Sequence, residues 1–235
     1  MLITITLISF LVTIYSIQYM DKFTAKARFY ALFLLMLAGM NGVALTGDLF
    51  NLYVFLEIAS IASYALVAFG CEHEELEASF KYLVLGSVGS TLILFAIAIT
   101  YALTGALNMA QVSSMIGGEL RPIHLFVVAL FISGFGLKAA LIPFHAWLPD
   151  AHPSAPAPIS AMLSGVLIKT IGVYAMARVM FNVIGITPLT SYVLMVMGTV
   201  SMVVGVLLAM GQDDIKRFLA YSSISQVGYV VLAIG

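Results

Sequence analysis

The sequence predicts an all-α integral membrane protein, and three observations carry that prediction. Hydrophobic residues make up 62% of the chain and charged residues only 9%. A soluble domain carries about 25% charged residues to cover its surface. Mean hydropathy is +1.10, so the solvent of most of this surface is expected to be lipid. The apolar stretches are also continuous, each near the roughly 20 residues that a spanning helix needs. They lack the apolar–polar alternation over about ten positions that a barrel strand would show.

On that criterion about eight stretches read as spans. They are Met1–Met20, Phe29–Thr46, Leu49–Gly70, Ser79–Thr104, Ile123–Trp147, Pro156–Phe181, Leu189–Met210 and Ile215–Gly235. Met1–Phe10 has no basic leader and no small-residue cleavage site, so the first stretch is expected to be a retained helix. Gly86, Gly89 and Ser90 are small residues of the kind that let helices approach closely inside lipid. The connections are short: basic Asp21–Arg28, acidic Cys71–Glu77, Thr104–Pro122 with Gly117 and Gly118, and proline-rich Pro149–Pro158. The chain therefore reads as one transmembrane domain, residues 1–235. Tyr221–Gly235 is apolar to its last residue: either the final helix ends flush with the interface or the chain is shorter than its ancestral form.

Composition also excludes functions. A net charge of −1 leaves no global basic footprint for nucleic acid. Cys71 is the single cysteine, which excludes an internal disulfide and a cysteine-ligated metal cluster. Orientation follows from lysine and arginine. Lys22, Lys26, Arg28, Lys216 and Arg217 fall on one side of an eight-span topology, Arg121 and Arg178 on the other. The first group is expected in the cytoplasm, with the N-terminus outside.

Three charges lie where lipid should exclude them. Glu57, Lys138 and Lys169 each sit about two to three turns from the nearest end of an expected span. A charge there costs from about 3 to more than 10 kcal/mol. Such residues mark a pair, a hydrated path or a function. A bare Glu57–Lys138 pair that only orients helices would be a poor stabiliser compared with apolar packing, and it leaves Lys169 without an acidic partner. Proton exchange fits better, because burial and a nearby carboxylate pull a lysine in opposite directions. The helix carrying Lys138 is expected to break between Lys138 and Phe144. Pro143 lacks an N–H and deprives the Ala139 carbonyl of its partner, and Gly134 and Gly136 loosen the preceding turn. Interrupted helices at membrane depth point to ion sites; a packing kink is the alternative.

His145 and His152 follow, separated by Trp147, Pro149 and Asp150. Histidine passes protons near neutral pH. Pro149 and Pro153 are expected to break any helix that would align the two rings, and Asp150 is the one nearby carboxylate, so no metal site is expected. For His152 the alternative is an interfacial tie to backbone carbonyls. His73 reads as a solvated loop residue, and His124 as an interfacial one.

The segment GFGLKAALIPFHAWLPDAHPSAPAPISAMLSGVLIKT resembles the core signature of antiporter-like, proton-conducting membrane subunits. These occur in respiratory complex I, in multisubunit cation/proton antiporters (as the D-type component) and in membrane-bound hydrogenases. TGDLFNLYVFLEIASIASYALVAF resembles their glutamate-bearing helix, and DDIKRFLAYSSISQVGYVVLAIG a later helix entry. The resemblance implies that Glu57 and Lys138 form the key ion pair. It implies too that Lys169 continues the path and that His145 belongs to the histidine-containing segment. It further implies a first five-helix repeat over residues 29–181 with its broken helix near Pro143, and the start of a second, incomplete repeat over 189–235.

The function expected is proton, or coupled cation/proton, translocation as a subunit of a redox-driven pump or an antiporter in the cell membrane. Glu57, Lys138, Lys169, His145 and His152 form the expected path. The chain itself would be a non-redox subunit without cofactors. Its expected partners are other membrane subunits, lipid and protons, with sodium ions as the alternative cargo. A scaffold with a vestigial relay is the competing reading, and a free-standing solute transporter is weaker.

Overall fold

A computed structural model describes residues 1–116 and 121–235. Gly117 and Gly118, singled out above in the longest connection, lie outside the described residues. Ten helices are described: α1 Leu2–Tyr19, α2 Lys26–Leu45, α3 Leu49–Val67, α4 His73–Thr104, α5 Met109–Ile116, α6 Pro122–Lys138, α7 Leu148–Ser154, α8 Ala157–Ile184, α9 Pro188–Met210 and α10 Ile215–Ile234. Seven of them are long and apolar enough to cross a membrane, and α6 is a shorter apolar helix.

Local chemistry sets the helix ends. The Asp48 carboxylate accepts from the Asn51 N–H at 2.9 Å and caps α3; the Asp214 carboxylate accepts from the Lys216 N–H at 2.7 Å and caps α10. Such caps satisfy donors that have no partner inside the helix. Thr187, Pro188 and Thr190 open α9 with a reciprocal capping box. His124 has a comparable task, its Nδ1 accepting from the Arg121 N–H at the start of α6. Gly105, at φ 67°, closes α4 in the left-handed conformation that glycine adopts at little cost.

Three connections differ from expectation. The acidic run is largely helical, because α4 begins at His73 and carries Glu74 and Glu75 in its first turn. Negative charge there complements the helix dipole, so His73 is a helix-start residue. The long connection after α4 contains α5, whose buried Met109, Val112 and Ile116 form one apolar stripe. The first half of the proline-rich segment forms α7, with Pro149 in its first turn and Pro153 in its last, and Pro156 and Pro158 open α8. Prolines at these positions cost few hydrogen bonds, so a short helix forms around Pro149 and Pro153. His145 lies in the turns before that helix, so no single helix aligns the His145 and His152 rings, as expected.

In α8, 72% of the most apolar stretch is buried, against 22% in α1, which places α8 centrally and α1 at the edge. The α1 contact is a stripe of Ile5, Ser9, Val12 and Ser16. Small residues set the closest crossings. A Cβ on Gly134 of α6 would lie 2.8 Å from the Gly89 carbonyl of α4, so the two backbones touch.

One end of the bundle gathers the turn after α1, the α3–α4 turn, α7 and the start of α10. Phe23 meets Phe69 with ring centroids 5.7 Å apart, and Asp150 of α7 pairs with Lys81 at 2.9 Å and Arg217 at 3.6 Å. At the other end Gly47 bonds to Met109 and Leu107 to Leu49 through the backbone. There the Arg178 guanidinium donates to the Val43 and Ala44 carbonyls at the end of α2. Lys216 and Arg217 thus lie at the opposite end from Arg178, as the basic-residue pattern predicts.

Candidate functional site

The expected break is present, and its cause is more specific than Pro143. Helix α6 ends at Lys138. The Leu141 N–H bonds to the Gly136 carbonyl at 2.9 Å and the Ala140 N–H to the Leu137 carbonyl at 3.2 Å, while Ala140 takes φ 55°. This is a Schellman ending with alanine in the left-handed position usually given to glycine. An L-residue there costs about 1–2 kcal/mol, so surrounding contacts must hold it. Ser201 of α9 does so from one side, its Oγ accepting from the Ile142 N–H at 3.0 Å. From the other, Trp147 Nε1 donates to the Leu137 carbonyl at 3.0 Å. Gly134 and Gly136 do not loosen the helix as expected. Gly134 packs against α4, and the Gly136 carbonyl anchors the terminating turn.

Lys138 is the last helical residue of α6, where the dipole favours a cation. Its side chain is 1% exposed and points into the bundle toward α3. Nζ lies 3.5 Å from Glu57 Oε1, 2.9 Å from Ser60 Oγ and 3.1 Å from Tyr64 Oη. Glu57 is 23% exposed, and its Oε1 turns inward, where it also accepts the Ser90 hydroxyl of α4. Tyr64 stands edge-on to Tyr82 at 4.5 Å, and Tyr82 stacks on Trp147 at 4.1 Å. The Tyr82 hydroxyl meets Ser63 Oγ at 2.9 Å. An aromatic wall therefore joins the lysine site to the broken segment.

Opposite charges 3.5 Å apart attract by about 5 kcal/mol at an effective dielectric of about 20. Desolvating the two ions costs several kcal/mol each. The two effects are of similar size, which makes the pair adjustable and not a strong staple.

Lys169 lies one helix away on α8, in a stretch of π-helical bonding over Lys169–Tyr174. Such widening is frequent at functional positions. Its ammonium donates to the Ser164 carbonyl. Gly172 of the same stretch packs against Ala139, with a built Cβ only 2.6 Å from the Ala139 Cα. His152 is 3% exposed, and Lys169 and Lys216 both act on its ring electrostatically. Burial, with those two cations, pushes the His152 imidazole down to about 4. His145 lies in the broken segment, its ring 6.4 Å from Tyr221. Neither His145 Nδ1 nor His152 Nδ1 has a hydrogen-bond partner among the described residues.

The structure thus groups Glu57 with Lys138 and His152 with Lys169. Among the described residues no hydrogen bond or ion pair joins the two groups. Ser60, Tyr64 and Ser90 were not anticipated. Ser60 and Tyr64 follow Glu57 at i+3 and i+7, a helical-face spacing that could have found them. Ser90 carries no such signal, because only packing brings α4 to this point.

A helical membrane protein with a buried acid–base pair at a broken helix is the class that this fold and site define. The chain belongs to the NADH:quinone oxidoreductase/Mrp antiporter membrane family, whose family model matches residues 46–235. Residues 1–30 match the model of the N-terminus of chain 5 of NADH-ubiquinone oxidoreductase (complex I). The chain is 38% identical over 227 residues to the N subunit of the NADH-quinone oxidoreductase of Desulforudis audaxviator, covering 94% of this chain and 45% of that protein. It is 37% identical to the D component of the Na(+)/H(+) antiporter of Alkalihalophilus pseudofirmus, covering all of this chain and 48% of that one. A chain of the membrane-bound sulfane sulfur reductase, an archaeal respiratory membrane complex, superposes with a TM-score of 0.90 at 40% identity, covering 98% of this chain and 47% of that chain. The chain spans about half the length of these relatives. It is a multi-pass membrane protein, and its relatives are subunits of multisubunit membrane complexes.

Proposed function

We propose that this chain translocates protons, or exchanges a cation for protons, as a membrane subunit of a larger redox-driven pump or antiporter. One observation carries the reading: a lysine with 1% side-chain exposure at the end of a broken apolar helix, 3.5 Å from a carboxylate on another helix. Closing and opening that pair changes how firmly Lys138 holds its proton. Lys169, with His145 and His152 beyond it, would receive and pass the proton. The names of the relatives support this assignment. On the same reading, residues 29–181 form one five-helix repeat and residues 189–235 begin a second. Protons are the cargo, with sodium ions as the alternative, and neighbouring membrane subunits and lipid cover the exposed apolar faces.

The test is proton uptake into inverted native membrane vesicles holding the assembled complex. Lys138→Ala and Glu57→Gln should each abolish coupled uptake while the chain remains in the membrane. Full uptake by either variant sinks the proposal. One observation favours a second reading, a scaffold with a vestigial relay: the close helix crossings rest on small residues, with Gly134 of α6 set against the Gly89 backbone of α4. That reading expects Lys138→Ala to transport normally, and substitution at packing glycines such as Gly134 to abolish assembly.

A further inference from the structure

The Lys138 ammonium has three hydrogens to place, and its two shortest contacts are to neutral groups. Ser60 Oγ at 2.9 Å and Tyr64 Oη at 3.1 Å both lie nearer than Glu57 Oε1 at 3.5 Å. The carboxylate oxygen that faces the lysine also accepts the Ser90 hydroxyl. Each member of the ion pair therefore has a neutral partner of its own. These partners are fixed in place. Ser60 is fully buried and Ser90 is 4% exposed. Tyr64 is wedged edge-on against Tyr82. Its hydroxyl end occupies the space that a Cβ on Gly86 would need.

We propose that Ser60, Tyr64 and Ser90 are positioning residues for the Glu57–Lys138 exchange. Ser60 and Tyr64 hold the lysine ammonium when the pair opens, and Ser90 holds the carboxylate. A buried ion stripped of its only partner bears the full cost of desolvation. Here opening removes one acceptor out of three from the lysine and leaves the glutamate one donor. The hydroxyls thus lower the cost of the open state, and the pair can switch without either charge being abandoned in the membrane. The inference rests on the proton-translocation reading above.

The experiment uses Tyr64→Phe, Ser60→Ala and Ser90→Ala in the full chain within its native membrane complex. Proton uptake into inverted vesicles is followed with an acridine dye, normalised to the amount of the chain in the membrane, across a range of pH. Each variant should slow uptake by about tenfold or more, the worth of one hydrogen bond to a charged group. Tyr64→Phe and Ser60→Ala should also move the alkaline limb of the pH profile to lower pH, because the ammonium loses an acceptor that favours its charged form. The titratable groups facing Lys138 are Glu57 and Tyr64 on α3, with Tyr82 of α4 behind Tyr64; α8, which packs against α6, carries Lys169; neither substitution removes a charge. If Tyr64→Phe depletes the chain from the membrane, Ser60→Ala, which deletes one small hydroxyl, carries the test. Wild-type rates and an unmoved profile overturn the proposal, and so does a slower rate with an unmoved profile, which would mean packing alone. Lys138→Ala separates the two readings. If it is inactive while the hydroxyl variants behave as wild type, this inference alone fails. If it transports fully, the underlying function fails as well.

Discussion

Two residues report on the site through stability. Gly86 allows the Tyr64 hydroxyl to sit where a methyl group would be, so Gly86→Ala forces an overlap. Overpacking of this kind costs about 1–3 kcal/mol. Thermal unfolding of the detergent-solubilised protein should show that loss, and adding Tyr64→Phe should recover part of it, because the clashing atom is gone. Equal losses in the single and double variants would show that the contact is not what Gly86 serves. His152 makes a prediction about pH. Burial, together with Lys216 and Lys169, pushes its imidazole down to about 4 from an ordinary value of 6.5. The folded protein thus binds the proton more weakly than the unfolded chain. This stabilising contribution is fully present above about pH 6.5 and is lost as pH falls toward 4, by up to about 3 kcal/mol. His152→Gln should flatten the acid side of a plot of melting temperature against pH. An unchanged acid side would refute the assignment.

At the scale of an element, the broken segment between α6 and α7 depends on contacts from elsewhere. Ser201 of α9 supplies the acceptor for the Ile142 N–H. Ser201→Ala removes the partner of that partly buried donor at a cost of about 1 kcal/mol. Hydrogen exchange at the Ile142 amide should accelerate, while exchange within α9 itself stays slow. Helix α7 is held differently, by Asp150 pairing with Lys81 and Arg217 at the bundle end. All three side chains are partly exposed, so the clamp is weak and screened by salt. Asp150→Ala should lower stability by no more than about 1 kcal/mol at low salt. The difference from wild type should shrink as salt is raised, and a salt-independent loss would point to packing instead.

For the whole molecule, topology is the testable property. The turn after α1, the α3–α4 turn and α7 share one end of the bundle, and the basic residues predict that this end is cytoplasmic. Cys71, exposed in the α3–α4 turn, is a native probe of the same end. A membrane-impermeant thiol reagent should leave Cys71 unlabelled in intact cells and label it in inverted vesicles. In a Cys71→Ser background, cysteines at Lys26 and Ser154 should behave the same way, and a cysteine at Arg121 should behave oppositely. Labelling of the Lys26 or Ser154 site in intact cells would reverse the orientation.

Hydropathy alone determined the membrane class and the order of the spans, because lipid requires each crossing segment to be apolar along its whole length. The rarity of charge in such segments picked out Glu57, Lys138 and Lys169. Pro143 foretold the break after Lys138, although not its form. Only the tertiary structure decided the rest. The Schellman turn at Ala140 depends on Ser201 and Trp147, which lie outside the turn itself and carry no local signal. Pro149 and Pro153 read as helix breakers, and only packing against α4 and α10 gave the short helix α7 that holds them in its first and last turns. The acidic run read as a loop because its charges mask the helix that the macrodipole favours. Ser60 and Tyr64 were legible as a face of α3, but their target was not. Which lysine a helix face meets is settled by how helices pack, and periodicity within one helix holds no information about its neighbour.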